Sequence, residues 1–283
     1  MSGSRLLAGL LLLSAQLTSL ALAQIVPPNE YRVAMGHLHF EVDDIAASRA
    51  FWMRLGGVEV DTAQGQAIAF PGLVILIDRR DTERSPAQPI DHVAFRVVSL
   101  DALTDAGLEL QLLEDYPGIA TVSAPAGESV ELFEEGTATN VGFDSDVATE
   151  MSERHNRPLL YRIESHHLHF YLPEVEVVAA RDWYVEHFGA VPGMRWRYEA
   201  ADLPGMNLNF STSQGGGVEQ LTSPLDHIGF EVSDLEAFCQ QLLREGVVFD
   251  VPYTRVHDDY ALASLTDPWG TRIELTEGLM MPR

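Results

Sequence analysis

Four segments of this 283-residue chain open on a histidine and continue in alternating apolar residues: His37-Leu-His-Phe-Glu-Val, His92-Val-Ala-Phe-Arg-Val, His167-Leu-His-Phe-Tyr-Leu and His227-Ile-Gly-Phe-Glu-Val. Two of these repeats end on a second shared phrase, Pro125-Ala-Gly-Glu-Ser-Val-Glu131-Leu and Pro268-Trp-Gly-Thr-Arg-Ile-Glu274-Leu. Repetition at about 50 to 75 residues means that one supersecondary unit is used four times, so the fold must pair or stack such units. Side chains alternate along a strand. Leu168, Phe170 and Leu172 therefore share one face, and His167, His169 and Tyr171 share the other. The fourth repeat sets Ile228, Phe230 and Val232 against His227, Gly229 and Glu231, and its last strand sets Ile273 and Leu275 against Arg272, Glu274 and Thr276. Sheets that are apolar towards helices and polar on the other side should form cups that bind something.

Each repeat reads as strand, helix, then two or three strands. Helices are expected around Asp44 to Leu55, near Leu100 to Ala106, around Val178, Trp183, Tyr184 and Phe188, and after a Ser233-Asp234 cap with Leu235, Phe238, Leu242 and Leu243 on the apolar face. Residues 1–24 carry Arg5, a leucine-rich run from Leu6 to Leu22 and Ala21-Leu-Ala23, the three parts of a secretory signal peptide. The expected organisation is a signal peptide at 1–24, an N-terminal two-module domain at 25–136, a linker at 137–163 and a C-terminal two-module domain at 164–283. The protein is expected to be exported, to the periplasm or outside the cell, with no membrane association beyond the signal peptide. Monomer and homodimer both suit four modules in one chain.

Acidic residues number 42 against 18 basic ones, a net charge of -24, and all 18 are arginines. The absence of lysine excludes Schiff-base chemistry and a phosphate-loop lysine. Charge of this sign is repelled by nucleic acid and anionic membranes, which leaves a small molecule as the expected partner. The single cysteine, Cys239, rules out an internal disulfide and reads as a small core residue. Gly215-Gly-Gly217 precedes no helix start and reads as a flexible loop, not a phosphate cradle.

The recurring histidine, Pro-x-Gly turn and glutamate resemble the vicinal oxygen chelate superfamily, which includes glyoxalase I, extradiol dioxygenases and bleomycin-resistance-like proteins. The resemblance implies an α+β fold of four βαβββ modules paired into two cupped mixed β-sheets with helices on the outer faces. It also implies a divalent metal, iron(II), manganese, nickel or zinc, one or two per chain, held by the histidine that opens each first strand and a glutamate on a last strand. Carried onto this sequence, the C-terminal pair of modules offers His167, His227 and Glu274, and the N-terminal pair offers His37, His92 and Glu131. Such a metal suits extradiol-dioxygenase-like or glyoxalase-like lyase and isomerase chemistry on a chelating substrate. A metal-free cup that sequesters an aromatic or antibiotic-like molecule is the alternative.

The sequence departs from both named activities. Asn209 and Leu76 fall where glyoxalase I has its second glutamate, and Ser264 falls where extradiol enzymes carry a tyrosine. Tyr260 and His257 are candidates for the missing acid or base, and Glu231 for a third. His169 and His39, two residues after their expected ligands, are candidate bases or substrate contacts. Tyr171, Asn209 and Arg272 should line the cups, with Arg272 available to a substrate carboxylate. His166 should point to the opposite face and serve the structure alone.

Overall fold

A computed structural model describes residues 25–80, 88–137, 157–212 and 224–281. The expected signal peptide at 1–24, most of the expected linker at 137–163 and the triple glycine lie outside the described residues. The expected modules are present. Module 1 comprises β1 (Val33–Val42), α1 (Ile45–Leu55), β2 (Val58–Thr62), β3 (Gly65–Phe70) and β4 (Leu73–Arg79). Module 2 comprises β5 (Ile90–Val97), α2 (Leu100–Asp105), β6 (Gln111–Leu112), β7 (Ile119–Ser123) and β8 (Ser129–Glu134). Module 3 runs through β9 (Ile163–Tyr171), α3 (Val177–Phe188), β10 (Val191–Arg195), β11 (Tyr198–Leu203) and β12 (Met206–Ser211). Module 4 runs through β13 (Leu225–Val232), α4 (Leu235–Arg244), β14 (Phe249–His257), β15 (Tyr260–Thr266) and β16 (Arg272–Glu277).

Local chemistry sets the helix starts. The Asp44 carboxylate accepts from Ala47 N and caps α1, and the Ser99 hydroxyl does the same for α2 through Ala102 N. The cap of α4 differs from the sequence expectation. Asp234 sits at φ 60 and gives its carboxylate to Arg32, so the first amides of α4 donate instead to Glu277 at 3.2 Å.

The pairing of modules is not the one expected. One eight-stranded sheet runs β14-β15-β16-β13-β1-β4-β3-β2 and the other β10-β11-β12-β9-β5-β8-β7-β6. Module 1 thus joins module 4, and module 2 joins module 3, through antiparallel first strands. The expected self-paired halves, 25–136 and 164–283, are interleaved. Consecutive modules touch across their apolar faces instead. The Phe95 ring of module 2 lies 4.9 Å from Phe70 and 6.2 Å from Trp52 of module 1, and Phe188 of module 3 lies 5.0 Å from Phe230 of module 4. The buried Tyr184 hydroxyl of α3 donates to Asp267, in the β15–β16 turn, at 2.8 Å. Both sheets therefore feed one continuous apolar cluster, in which the helix faces are buried more fully than two separate small cores would allow.

Candidate metal centres

Opposite the core, each sheet presents a polar concave face. Cup 1 is formed by modules 1 and 4, cup 2 by modules 2 and 3. Parallel registers place Leu76 beside His39, Gly229 beside Glu274, Ala94 beside Glu131 and Asn209 beside His169. Glu274, Glu131, Leu76 and Asn209 thus hold the same position in four modules, as the sequence alignment expects.

Cup 1 collects His37 from β1, His227 from β13 and Glu274 from β16. His37 Nε2 lies 3.2 Å from His227 Nε2 and 3.4 Å from Glu274 Oε2, and the His227–Glu274 separation is 3.9 Å. Cup 2 collects His92 from β5, His167 from β9 and Glu131 from β8. There the Nε2 atoms are 3.3 Å apart, and Glu131 Oε2 lies 3.4 Å from His92 and 3.6 Å from His167. All six residues expected as ligands fall into these two clusters, but His167 stands with His92 and Glu131, and His37 with His227 and Glu274. The exchange follows from the module pairing. In each cup a circle through the three donor atoms has a radius of about 2.0 Å, the length of a metal bond to imidazole nitrogen or carboxylate oxygen.

A backbone irregularity sits immediately before each of the four histidines. The β1–β13 register skips Gly36 and Asp226, and the β5–β9 register skips Asp91 and His166. Such bulges turn the extra residue out of strict alternation and re-aim its side chain. Asp226 and Asp91 can therefore reach the rings that follow them: His227 Nδ1 bonds to Asp226 Oδ2 at 2.7 Å and His92 Nδ1 to Asp91 Oδ2 at 2.6 Å. A carboxylate on Nδ1 fixes the tautomer and leaves Nε2 free to face a cation. His166 is corrected by the same device. It lies 3.0 Å from His167, Nδ1 to Nδ1, and takes a hydrogen bond on Nε2 from the buried Arg195 guanidinium, so it supports the cup. At Gly36 the reason for the missing side chain is steric, since a Cβ would meet Glu231 N at 2.9 Å.

The two cups differ electrically. Burial lowers His227 to about 4 against the pull of Asp226. Burial alone would raise Glu274, but the hydrogen bond and charge of His37, the charge of His227 and the Gln64 amide outweigh it and hold the carboxyl at about 2. In cup 2, burial works against a charge on His92, yet bonds to Asp91 and Glu131 raise it to about 9. His169 is held well below its ordinary value by burial and by the charge of His92.

Cup 2 opens onto a cavity of about 350 Å³ lined by its trio together with His169, Tyr171, Asn209, Tyr116, Trp196 and Tyr198. The donor atoms of His92, His167 and His169 all lie within 4.8 Å of one another. His169 Nε2 bonds to Ser211 Oγ at 2.7 Å. Burial pushes the Tyr171 hydroxyl up to about 12. Asn209 Oδ1 is buried with no hydrogen-bond partner, an acceptor left over beside an incomplete set of cation ligands. That orphan and the spacing of the trio fit a divalent ion.

Five further candidate residues have the following surroundings. Glu231 accepts from Thr276 Oγ1 at 2.7 Å, Gly278 N at 2.7 Å and Leu279 N at 3.3 Å. Arg272 pairs with Asp226. His257 is exposed at the end of β14, outside both groups of ligands. Tyr260 lies in cup 1 and accepts from Gln64 Nε2 at 2.5 Å, while Gln64 Nε2 also reaches Glu274 Oε2 at 2.6 Å. His39 bonds to Asp78 at 3.1 Å and stacks edge-on to His227. Sequence reasoning missed Gln64, Trp196, Tyr198 and the two aspartates. Only the aspartates left a signal, the repeated Asp-His pair at 91–92 and 226–227.

Residues 166–275 match the family model of the Glyoxalase/Bleomycin resistance protein/Dioxygenase superfamily. That span supplies His167 and His169 to cup 2 and His227 and Glu274 to cup 1. Among solved structures, glyoxalase I from Zea mays is 13% identical with a TM-score of 0.58, covering 87% of this chain and 92% of its own. A point mutant of the same maize enzyme gives 12% identity and a TM-score of 0.59, covering 87% and 94%. A candidate dioxygenase from Bacillus subtilis is 11% identical with a TM-score of 0.57, covering 90% and 86%. At these identities the likeness is one of fold. No curated protein matches the chain in sequence. Residues 166–275 thus resemble the Glyoxalase/Bleomycin resistance protein/Dioxygenase superfamily in sequence, and the described chain has the fold seen in maize glyoxalase I.

Proposed function

We propose that this protein is an exported metalloenzyme that binds a small chelating substrate in cup 2, at a divalent metal held by His92, His167 and Glu131. The observation that carries this reading is the trio of donor atoms spaced for one ion at the base of an open 350 Å³ cavity. The bound metal would polarise adjacent substrate oxygens as a Lewis acid. Asp91 orients His92, and His166 with Arg195 orients His167. His169 faces the same space from the next inward position of β9 and is the residue placed to take a proton from bound substrate, with Ser211 holding its ring. Trp196 and Tyr198, 5.6 Å apart, and Tyr116, 5.6 Å from Trp196, form an aromatic ledge that excludes water from a planar ligand. Lyase or isomerase chemistry of the glyoxalase kind and ring-opening oxygenation both start from such a chelate. The leucine-rich residues 1–24 support export.

The same ledge favours a second reading, a metal-free cup that sequesters an aromatic molecule, with Arg197 stacked 4.7 Å over Trp196. Elemental analysis of gently purified protein separates the two. One metal lost with Glu131→Ala, together with turnover of a catechol or an α-ketoaldehyde hemithioacetal by the parent, is expected. No metal uptake from iron(II), manganese, nickel or zinc, with tight binding of an aromatic ligand to metal-free protein, would leave the sequestering cup.

A further inference from the structure

We infer that cup 1 is a receptor for the chain's own C-terminal segment, Gly278–Met281, and is held shut by it. The segment leaves β16 at Gly278, whose backbone at φ 85 sends the chain sharply aside, and where a Cβ would meet Asp259 O at 1.9 Å. Leu279 is fully buried in a cluster with Ala63 and Tyr260, and Met280 packs against the cluster of Ala67, Val74 and Leu76. Val74 and Leu76 are the β4 neighbours of His37 and His39 in the sheet register, so Met280 lies on the concave face beside the metal-type trio. The apolar side chains of the tail thus fill the polar cup where it has lost a ligand: Leu76 stands at the position held by glutamate in modules 2 and 4.

Three polar contacts make this docking specific. Ala63 N donates to Leu279 O at 2.8 Å, which ties the tail to the β2–β3 hairpin of module 1. Glu231 of module 4 accepts from both Gly278 N and Leu279 N. The tail is therefore latched to both walls of the cup, and the hairpin it holds down carries Gln64 onto Glu274 and Tyr260. His37 at the base is fully buried. Cup 1 is accordingly closed to small molecules by an internal ligand. This inference stands whichever chemistry cup 2 performs.

The test compares the full chain with a chain ending at Glu277, each treated with diethyl pyrocarbonate in the presence of chelator, with modification mapped residue by residue by mass spectrometry. His37 and His227 are expected to react at least 10-fold faster in the shortened chain, while His92 and His169 react at unchanged rates. The synthetic peptide Gly-Leu-Met-Met-Pro-Arg, added at millimolar concentration, should slow His37 again. Rates at His37 within twofold of the full chain would overturn the inference. If the shortened chain loses its cooperative thermal transition, the pair Glu231→Gln and Met280→Ser replaces it. A threefold or greater rise at His37 then supports the latch, and no rise overturns it.

Discussion

Asp226 and His227 are neighbours on one strand, yet the Asp226 carboxylate lies 2.7 Å from His227 Nδ1 on the same side of the sheet. Regular alternation forbids that contact; the bulge at Asp226 creates it. Asp91 and His92 repeat the arrangement in the other cup. Asp226→Asn and Asp91→Asn should each weaken metal binding in their own cup by about 10- to 100-fold without unfolding the chain. Competition against a chromophoric chelator measures this, and unchanged affinity in both variants would remove the aspartates from the site.

Ligand sharing follows the interleaved pairing. His167→Ala should abolish the same metal equivalent as Glu131→Ala, and His37→Ala the same as Glu274→Ala. In the doubly substituted His167→Ala/Glu131→Ala chain no further equivalent should be lost. Metal present at about 100 times its dissociation constant should add about 2.7 kcal/mol of stability per intact cup, read as a rise in thermal midpoint. A shared loss by His167→Ala and Glu274→Ala would contradict the sheet order.

Gly229 lies under the His37 ring, where an added Cβ would stand 2.0 Å from Cε1. Gly229→Ala should displace His37 and cost about 1–3 kcal/mol, the usual range for overpacking a filled space. Cup 2 has Ala94 at the equivalent position, opposite His167, and there the reverse change Ala94→Gly should cost no more than about 1 kcal/mol. Chemical denaturation of both variants checks the asymmetry; equal effects would mean that the two floors are interchangeable.

Cys239 is buried in α4, and burial pushes its thiol up to about 12. The thiolate is the reactive form, so a maleimide or disulfide reagent at pH 8 should leave the folded chain unlabelled and modify one thiol after denaturation. Rapid labelling of native protein would place α4 in an opening segment.

Much of the fold was legible because its signals are local. The period-2 pattern of the four first strands, the apolar helix faces and the Pro-x-Gly turns each report on a few adjacent residues, and the module count and the shared position of Glu131 and Glu274 follow from them. The choice of partner was not legible. Modules 2 and 4 both carry Asp-His and a glutamate, and modules 1 and 3 both carry His-x-His, so either pairing completes two trios. What decides it is burial of Phe95 against Trp52 and Phe70, and of Phe188 against Phe230, which no periodicity reports. The bulges were hidden for the same reason: His166 was placed on the wrong face by an alternation that fails at one residue.

The two metal-type trios are closed by contacts of very different reach along the chain. His92 and His167 are 75 residues apart, whereas His37 and His227 are 190 apart. Bringing distant segments together costs more chain entropy and slows folding, and synthesis delivers the early modules first. Cup 2 has its last strand once Ser211 has been made, while β1 must wait for module 4 before its outer edge is covered. The nascent chain thus assembles cup 2 early and carries an unpaired β1 edge until β13 arrives, and the segment that seals cup 1 follows only after β16.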